Sequence, residues 1–193
     1  MIHRAVTDGT RADEVAQEVA QYQPQVVGMN GDNVVYDERA SGVWITDLVD
    51  PPRRVPDLGS ASDVVPSRGW VAGQLADHPH WAAVLALETA ISLWQAPGVN
   101  LSQFSPDAQH VIGYQGHRTR IFDATNGTQV GVVGAFDGVR LDDLAWEDES
   151  HLLGTARSDS GLVIVRVSLD GSVSQLPVVR GIPGLGVAFA VQP

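Results

Sequence analysis

The sequence predicts an all-β fold built from repeated four-stranded antiparallel sheets. Three short apolar runs end at Gly73, Gly113 and Gly154, and these glycines are spaced by 40 and 41 residues. A looser copy of the run ends at Tyr36, which lies 37 residues before the first glycine. A period of about 40 residues that holds several strands and no helix is typical of a β-propeller blade. We therefore predict a β-propeller with four full blades and partial strands at both ends.

Residues that favour turns divide each repeat into four short strands, named a to d. In the first repeat, Gly31-Asp32 separates strands a and b, and Asp50-Pro51-Pro52 interrupts the chain before strand d. The predicted strands cover residues 25–29, 33–37, 42–48 and 53–58. The second repeat is less regular, with strands over residues 63–65, 70–74, 81–87 and 91–95. Its c–d turn, Glu88-Thr89-Ala90, lacks a glycine, and residues 59–62 are predicted to connect the two blades.

The third repeat shows the blade pattern most clearly, and the fourth follows it. Ser105-Pro106-Asp107-Ala108 predicts a hairpin loop, because proline presets a turn dihedral and aspartate can bond its own backbone. Asn126-Gly127 suits the positive φ angles of a type I′ turn. The predicted strands cover residues 101–104, 110–114, 119–124 and 128–133. In the fourth repeat they cover residues 144–146, 151–155, 162–169 and 173–179, with Asp170-Gly171 as the c–d turn.

The predicted blades span residues 24–58, 62–96, 100–135 and 142–180 of one domain that covers residues 1–193. Residues 1–20 are interpreted as the last two strands of a preceding blade, with a helix over residues 12–22 as the alternative, because Ala, Glu and Gln favour helix. Residues 185–192 predict one further strand. Either the two ends share a blade and close a five-bladed ring, or the chain is part of a larger propeller and a fragment of a longer protein.

Composition and charge restrict the classes of partner. The net charge of −11 and the isoelectric point near 4.7 argue against nucleic acid, whose phosphates are neutralised by clustered cations. An anionic membrane surface is disfavoured for the same reason. The longest apolar stretch, around residues 81–87, is far shorter than the ~20 residues that cross a bilayer, so no membrane insertion is expected within this chain. The start of the chain has no signal-peptide pattern, and the compartment stays open between cytoplasmic and extracytoplasmic.

One segment of the third repeat carries a resemblance to known repeats. Phe104-Ser105-Pro106-Asp107-Ala108, followed by an apolar strand and then Ile121-Phe122-Asp123-Ala124-Thr125-Asn126-Gly127, resembles the blades of WD-repeat and TolB-like propellers. The Gly-His dipeptide of WD repeats is missing, and Phe122 stands where tryptophan is usual, which favours the less regular bacterial propellers. The resemblance implies a propeller fold and a tendency to bind proteins or small ligands, without implying an activity.

The loops between strands b and c are the predicted binding surface. In propellers these loops lie on one face, beside the connections from strand d to the next strand a, and every predicted blade places ionisable or aromatic residues there. The candidate ligand- or partner-binding residues are Glu38, Arg39, His78, His80, Trp81, His117, Arg118, Arg157 and Asp159. Arginine in such loops can hold an anionic or sugar-like ligand through charge-assisted hydrogen bonds. The alternative interpretation is that these residues are polar only because loops are exposed.

Other chemistry finds little support in the sequence. There is no Gly-x-Ser-x-Gly motif, no cysteine and no phosphate-binding glycine loop between a strand and a helix, so no catalytic residue and no cofactor are predicted. His78 and His80 could form half of a metal site, but no spacing identifies further ligands, and no metal is predicted. His110 and His151 occupy equivalent positions before strand b and are predicted to bond the preceding turn. The acidic residues from Asp142 to Glu149 are interpreted as a solvated loop.

These observations favour a non-catalytic β-propeller module that binds a protein or small-molecule ligand through its b–c loop face. One alternative is a propeller-type hydrolase or lyase that uses His, Asp or Glu side chains facing the channel. Another is an extracytoplasmic sensor or envelope domain of a longer protein. The sequence identifies neither the ligand nor the oligomeric state.

Overall fold

The computed structural model describes residues 24–38, 41–116, 118–135, 141–158 and 161–176. All regular elements in these ranges are β-strands, and they form four separate four-stranded sheets. Every pairing is antiparallel and joins strands that are consecutive in the chain, so each sheet is a meander of the predicted kind. The chain divides into two compact units at Pro97 and Gly98, and each unit contains two of the sheets.

The first unit contains two sheets. The strands of the first sheet are β1 (Gln25–Asn30), β2 (Asn33–Glu38), β3 (Gly42–Thr46) and β4 (Arg53–Arg54). Those of the second sheet are β5 (Leu58–Val65), β6 (Trp70–Leu75), β7 (Trp81–Ala86) and β8 (Ile91–Pro97).

The second unit repeats this arrangement. The strands of its first sheet are β9 (Asn100–Phe104), β10 (His110–Gln115), β11 (Arg118–Asp123) and β12 (Gln129–Val133). Those of its second sheet are β13 (Leu141–Trp146), β14 (His151–Ser158), β15 (Gly161–Ser168) and β16 (Val173–Gln175).

Each unit has a hydrophobic core to which both of its sheets contribute. Alternate residues of a strand lie on the same side of the sheet, and small and β-branched residues dominate these strands. In the first unit, Val43 and Ile45 of β3 belong to the same buried cluster as Ala83 and Leu85 of β7. In the second unit, the corresponding cluster combines side chains from both sheets, including Ile112, Ile121, Leu144, Trp146, Leu152 and Val165.

The recurring glycines let strands approach closely inside the sheets. A Cβ atom added to Gly73 would lie 1.9 Å from the carbonyl oxygen of Ser60 in the neighbouring strand, and one added to Gly113 would lie 2.6 Å from Cε2 of Phe122. At Gly154 the nearest atom, Cδ2 of Leu144, would be 2.7 Å away. The repeated glycine that predicts the fold therefore marks positions where a side chain has no room.

Two predictions about the first unit are wrong. Residues 59–62, predicted as a connector, lie inside β5, which begins at Leu58. The strand predicted over residues 53–58 is the two-residue β4, because Pro56 and Asp57 form a turn in which Asp57 has a φ of 60°. The c–d turn without glycine does form, and Ala90 adopts the positive φ, 55°, that glycine usually supplies.

Some predictions fall on residues outside the described ranges. These are the strands or helix predicted within residues 1–20, the closing strand at 185–192, and the end of the strand predicted over 173–179. Within the described residues, no helix is long and apolar enough to span a membrane.

Candidate functional site

The first unit contains a cleft of about 360 Å³ at the end of its sheets where strand b turns into strand c. Both b–c connections of the unit reach this cleft, together with the end of β4 and the start of β5. Its lining residues are Ser41, Gly42, Arg54, Gly59, Ser60, Gln74, Leu75, Ala76 and Pro79. The volume lies near the lower end of the ~300–1,000 Å³ range of ligand pockets.

Two glycines keep the backbone segments around the cleft close together. Gly42 has a φ of 98°, and a Cβ there would lie 3.0 Å from the carbonyl oxygen of Leu58 and 3.2 Å from Nε of Arg54. A Cβ on Gly59 would lie 3.0 Å from Cα of Ala76. Side chains at these two positions would fill the space that separates the strands, so both glycines help to form the cleft.

A chain of hydrogen bonds holds the first b–c connection at the cleft. The indole Nε1 of Trp44 donates to Oγ of Ser41 at 2.8 Å, and this hydroxyl donates in turn to the carboxylate of Glu38. The backbone N–H of Ser41 also donates to the carbonyl of Glu38 at 2.7 Å. Because its proton goes to Glu38, Ser41 positions that carboxylate beside the cleft. Burial, and then the negative charge of Glu38, raise the pKa of Tyr36 on the same strand.

Among the described residues that line the cleft, Arg54 is the only cation. Its guanidinium lies against Gly42, and the residue is exposed to solvent. Among the described residues no carboxylate forms an ion pair with it. The neighbouring Arg53 is engaged elsewhere, since its Nη2 donates to the carbonyl of Leu87 at 3.4 Å.

An aromatic pair lies at the second b–c connection, which reaches the cleft through Pro79. The rings of His78 and Trp81 lie 5.4 Å apart between centroids, and the N–H of Trp81 donates to the carbonyl of His78 at 2.8 Å. Pro79, between them in the chain, lines the cleft. The side chain of Trp81 is 39% exposed, which is unusual for a residue of this size.

The remaining predicted site residues have different placements. His80 is exposed in the turn before β7. Arg118 is exposed at the start of β11, opposite Gln115. Arg157 was predicted in a loop but lies in β14, opposite Leu162, because β14 and β15 extend their pairing to Ser158 and Gly161. Arg39, His117 and Asp159 lie outside the described residues.

The two equivalent histidines before strand b behave differently. The ring of His151 bonds the carboxylate of Asp148 in the preceding turn, at 2.9 Å from Nδ1 to Oδ2, as predicted. His110 also bonds the preceding turn, but through its backbone, whose N–H donates to Oγ of Ser105 at 2.9 Å. Its ring stacks on Trp146 at 6.2 Å between centroids, and its Nδ1 is buried without a hydrogen-bond partner in the described part of the chain.

Two acidic residues near β13 have structural partners. Glu147 accepts a two-pronged ion pair from Arg166, with 2.6 Å between Nε and Oε2. Asp148 accepts the backbone N–H of Ser150 and bonds the ring of His151, and these contacts lower its pKa to about 2. Within the described residues, no group of three or more His, Asp or Glu side chains is arranged to hold a metal ion.

Sequence reasoning missed Arg54 and the two glycines of the cleft. It considered only the b–c loops, whereas Arg54 belongs to strand d of the first sheet. The position of Arg54 in the repeat could have identified it, because residues at the end of strand d, just before a d–a connection, reach the same face as the b–c loops.

Comparisons with known proteins connect this geometry to a fold. No protein-family model matches the chain, and no curated protein matches it. Solved structures do. A crystal structure of the mitotic checkpoint complex has a TM-score of 0.53 at 11% identity and aligns over 79% of this chain and 51% of its own. A TolB structure from Agrobacterium tumefaciens has a TM-score of 0.54 at 15% identity, with coverages of 81% and 61%.

A computationally designed protein, Ika8, is a third similar structure, with a TM-score of 0.56, 13% identity and coverages of 79% and 48%. The chain therefore spans between about half and three-fifths of the length of these neighbours. Together with the four antiparallel four-stranded sheets, they define the class: the chain has a β-propeller fold of the WD-repeat and TolB-like kind.

Proposed function

We propose that this chain is a non-catalytic propeller module that binds a protein partner through its b–c loop face. The observation that carries the proposal is the cleft in the first unit, to which both b–c connections, the end of β4 and the start of β5 contribute. Its lining combines a cation, hydroxyl and amide groups, and backbone left accessible by glycine. Such a mixture is suited to recognition, because polar groups orient a partner and exposed backbone offers further hydrogen bonds.

The neighbouring structures support the same proposal. One of them belongs to a multiprotein assembly, the mitotic checkpoint complex. The propeller fold hosts many functions, so the argument depends on the cleft rather than on the fold. Within this proposal, the missing Gly-His dipeptide and Phe122 support a likeness to the irregular bacterial propellers.

Site-specific photocrosslinking tests the proposal. A photoreactive residue replaces Ala76, which is exposed and lines the cleft, and in a matched variant it replaces Ile91, which is 63% exposed at the far end of the same sheet. In the native cells, we expect a discrete crosslinked partner from position 76 and none from position 91. Equal crosslinking from both positions, or none from position 76, would contradict binding through the b–c loop face.

A further inference from the structure

We infer that the cleft in the first unit binds an acidic peptide segment, with a carboxylate on Arg54 and the adjacent apolar side chain on Trp81. This inference rests on the proposed function and adds the chemistry of the partner. It follows from three features of the site: a guanidinium that none of the described carboxylates pairs with, an exposed aromatic ring on the neighbouring sheet, and a negative charge at the edge of the cleft.

The guanidinium of Arg54 selects the charge of the ligand. It lines the cleft beside Gly42, the residue is exposed to solvent, and none of the described carboxylates pairs with it. A guanidinium presents a planar fork of donors that matches both oxygens of a carboxylate. The chain as a whole carries a net charge of −11, so an anion is repelled on average and needs a specific cation such as Arg54 to hold it.

Strand alternation places Trp81 beside the same space. Ala83 and Leu85 of β7 belong to the core shared with the first sheet, and Trp81 lies on their side of the strand because alternate residues share a side. Leu75, which lines the cleft, belongs to that core too. The exposed ring of Trp81, backed by His78, therefore forms an apolar surface at the edge of the cleft. An adjacent pair of acidic and apolar residues in an extended peptide fits this arrangement.

Glu38 limits how much negative charge the cleft accepts. Ser41 lines the cleft and donates its hydroxyl to Glu38, so a carboxylate of the protein itself adjoins the site. Its repulsion grows with the charge of the ligand. A singly charged carboxylate is therefore favoured over a phosphate group, which carries about −1.5 to −2 at neutral pH.

Binding of capped peptides tests the inference. The probe is an acetylated and amidated octapeptide of Gly and Ser with a central Glu-Phe pair, and its matched forms carry Gln-Phe, phosphoserine-Phe or Glu-Gly. Calorimetry at low ionic strength should show that the Glu-Phe peptide binds roughly 10-fold more tightly than the Gln-Phe peptide, as expected for a charge-assisted pair. The phosphoserine peptide should bind more weakly than the Glu-Phe peptide. Acetate at an equal concentration should not displace the Glu-Phe peptide.

Protein variants assign the effect to the two residues. Arg54→Gln should abolish the preference for Glu over Gln, and Arg54→Lys should restore it only in part, because lysine keeps the charge without the fork. Arg53→Gln is the control, with the same change in charge on the same strand, and should keep the preference. Trp81→Ala should weaken binding of the Glu-Phe peptide but not of the Glu-Gly peptide.

Several results would overturn the inference. They are an absence of Glu-Phe binding at millimolar concentration, equal binding of the Gln-Phe or phosphoserine peptide, equal binding of acetate, or an unchanged preference in Arg54→Gln. The proposed function fails separately, through the crosslinking pattern. If a partner crosslinks at position 76 equally well in the Arg54→Gln variant, the proposed binding module stands, but the inference that its ligand is an acidic peptide is wrong.

Discussion

Replacing the recurring glycines by alanine should destabilise the protein in a definite order. A Cβ at position 73 would lie 1.9 Å from the carbonyl oxygen of Ser60, which is backbone and can move only if β5 and β6 separate locally. At position 154 the obstacle is the end of the Leu144 side chain, at 2.7 Å, which can change rotamer. We therefore expect Gly73→Ala to be much more damaging than Gly154→Ala.

The expected magnitudes follow from these two obstacles. Overpacking alone costs about 1–3 kcal/mol, which is the expectation for Gly154→Ala. Gly73→Ala adds the loss of about two ladder hydrogen bonds at roughly 1 kcal/mol each, which gives about 3–5 kcal/mol. For a chain of this size, 1 kcal/mol corresponds to about 2–4 °C in Tm, so the losses are roughly 2–12 °C and 6–20 °C.

Thermal unfolding followed by circular dichroism measures both variants. Gly31→Ala is the control, because Gly31 has a φ of 62° but no atom within 4 Å of an added Cβ, so it reports backbone strain without a clash. Its cost should be about 1 kcal/mol. If Gly73→Ala unfolds at the same temperature as Gly154→Ala, or as this control, the close approach of the strands does not explain the recurring glycine.

Three further predictions concern the second unit. Ser105→Ala should lower the free energy of unfolding, measured by chemical denaturation, by about 1–3 kcal/mol, because the N–H of His110 loses its acceptor. A Ser105→Thr variant, which keeps the hydroxyl, would contradict this reasoning if it were equally unstable. Trp146→Phe should lower the free energy of unfolding by about 1–3 kcal/mol in the same assay, because the indole donates to the carbonyl of Gln103 at 3.1 Å. An unchanged denaturation midpoint would show that this hydrogen bond contributes nothing to stability. Asp148→Asn should lower the free energy of unfolding at pH 6, and its difference from the unmutated protein should vanish towards pH 2. The lowered pKa of Asp148 stabilises the folded protein above the pKa of the unfolded state, and this stabilisation is lost as the pH falls through about 2. A constant difference from pH 6 to pH 2 would contradict the prediction.

Most of the fold could be predicted because its signals are local. Turn-forming pairs such as Asn126-Gly127 and Asp170-Gly171 mark c–d turns in the sheets of the second unit, where Gly127 and Gly171 have positive φ. The type I′ geometry predicted for Asn126-Gly127 is wrong, because Asn126 does not have the positive φ that this turn requires of both residues. The strand prediction failed where the local composition favours a loop but pairing with a neighbouring strand favours a strand. Residues 59–62 resemble a loop in composition, yet they continue β5, because pairing with β6 satisfies their backbone and a bulge absorbs the irregularity.

The candidate site could be predicted only in part, because it combines segments that are distant in sequence. Glu38, His78 and Trp81 were proposed from their loop positions; none of them lines the cleft itself, but Ser41, which bonds Glu38, and Pro79, which lies between His78 and Trp81 in the chain, do. Arg54 was missed because its importance depends on the neighbouring sheet and on Gly42, where a side chain would crowd its guanidinium. The local pattern of residues around Arg54 predicts neither its approach to the neighbouring sheet nor its approach to Gly42.

The core of the first unit is built jointly by two repeats, and this has an evolutionary consequence. Val43 and Leu85 come from different sheets but belong to one buried cluster. A mutation that shrinks one of them leaves a void that only a larger residue in the adjacent copy can refill. Neighbouring copies should therefore drift apart in sequence while their combined volume is conserved, so that exchanging one copy for another from the same chain would be tolerated poorly.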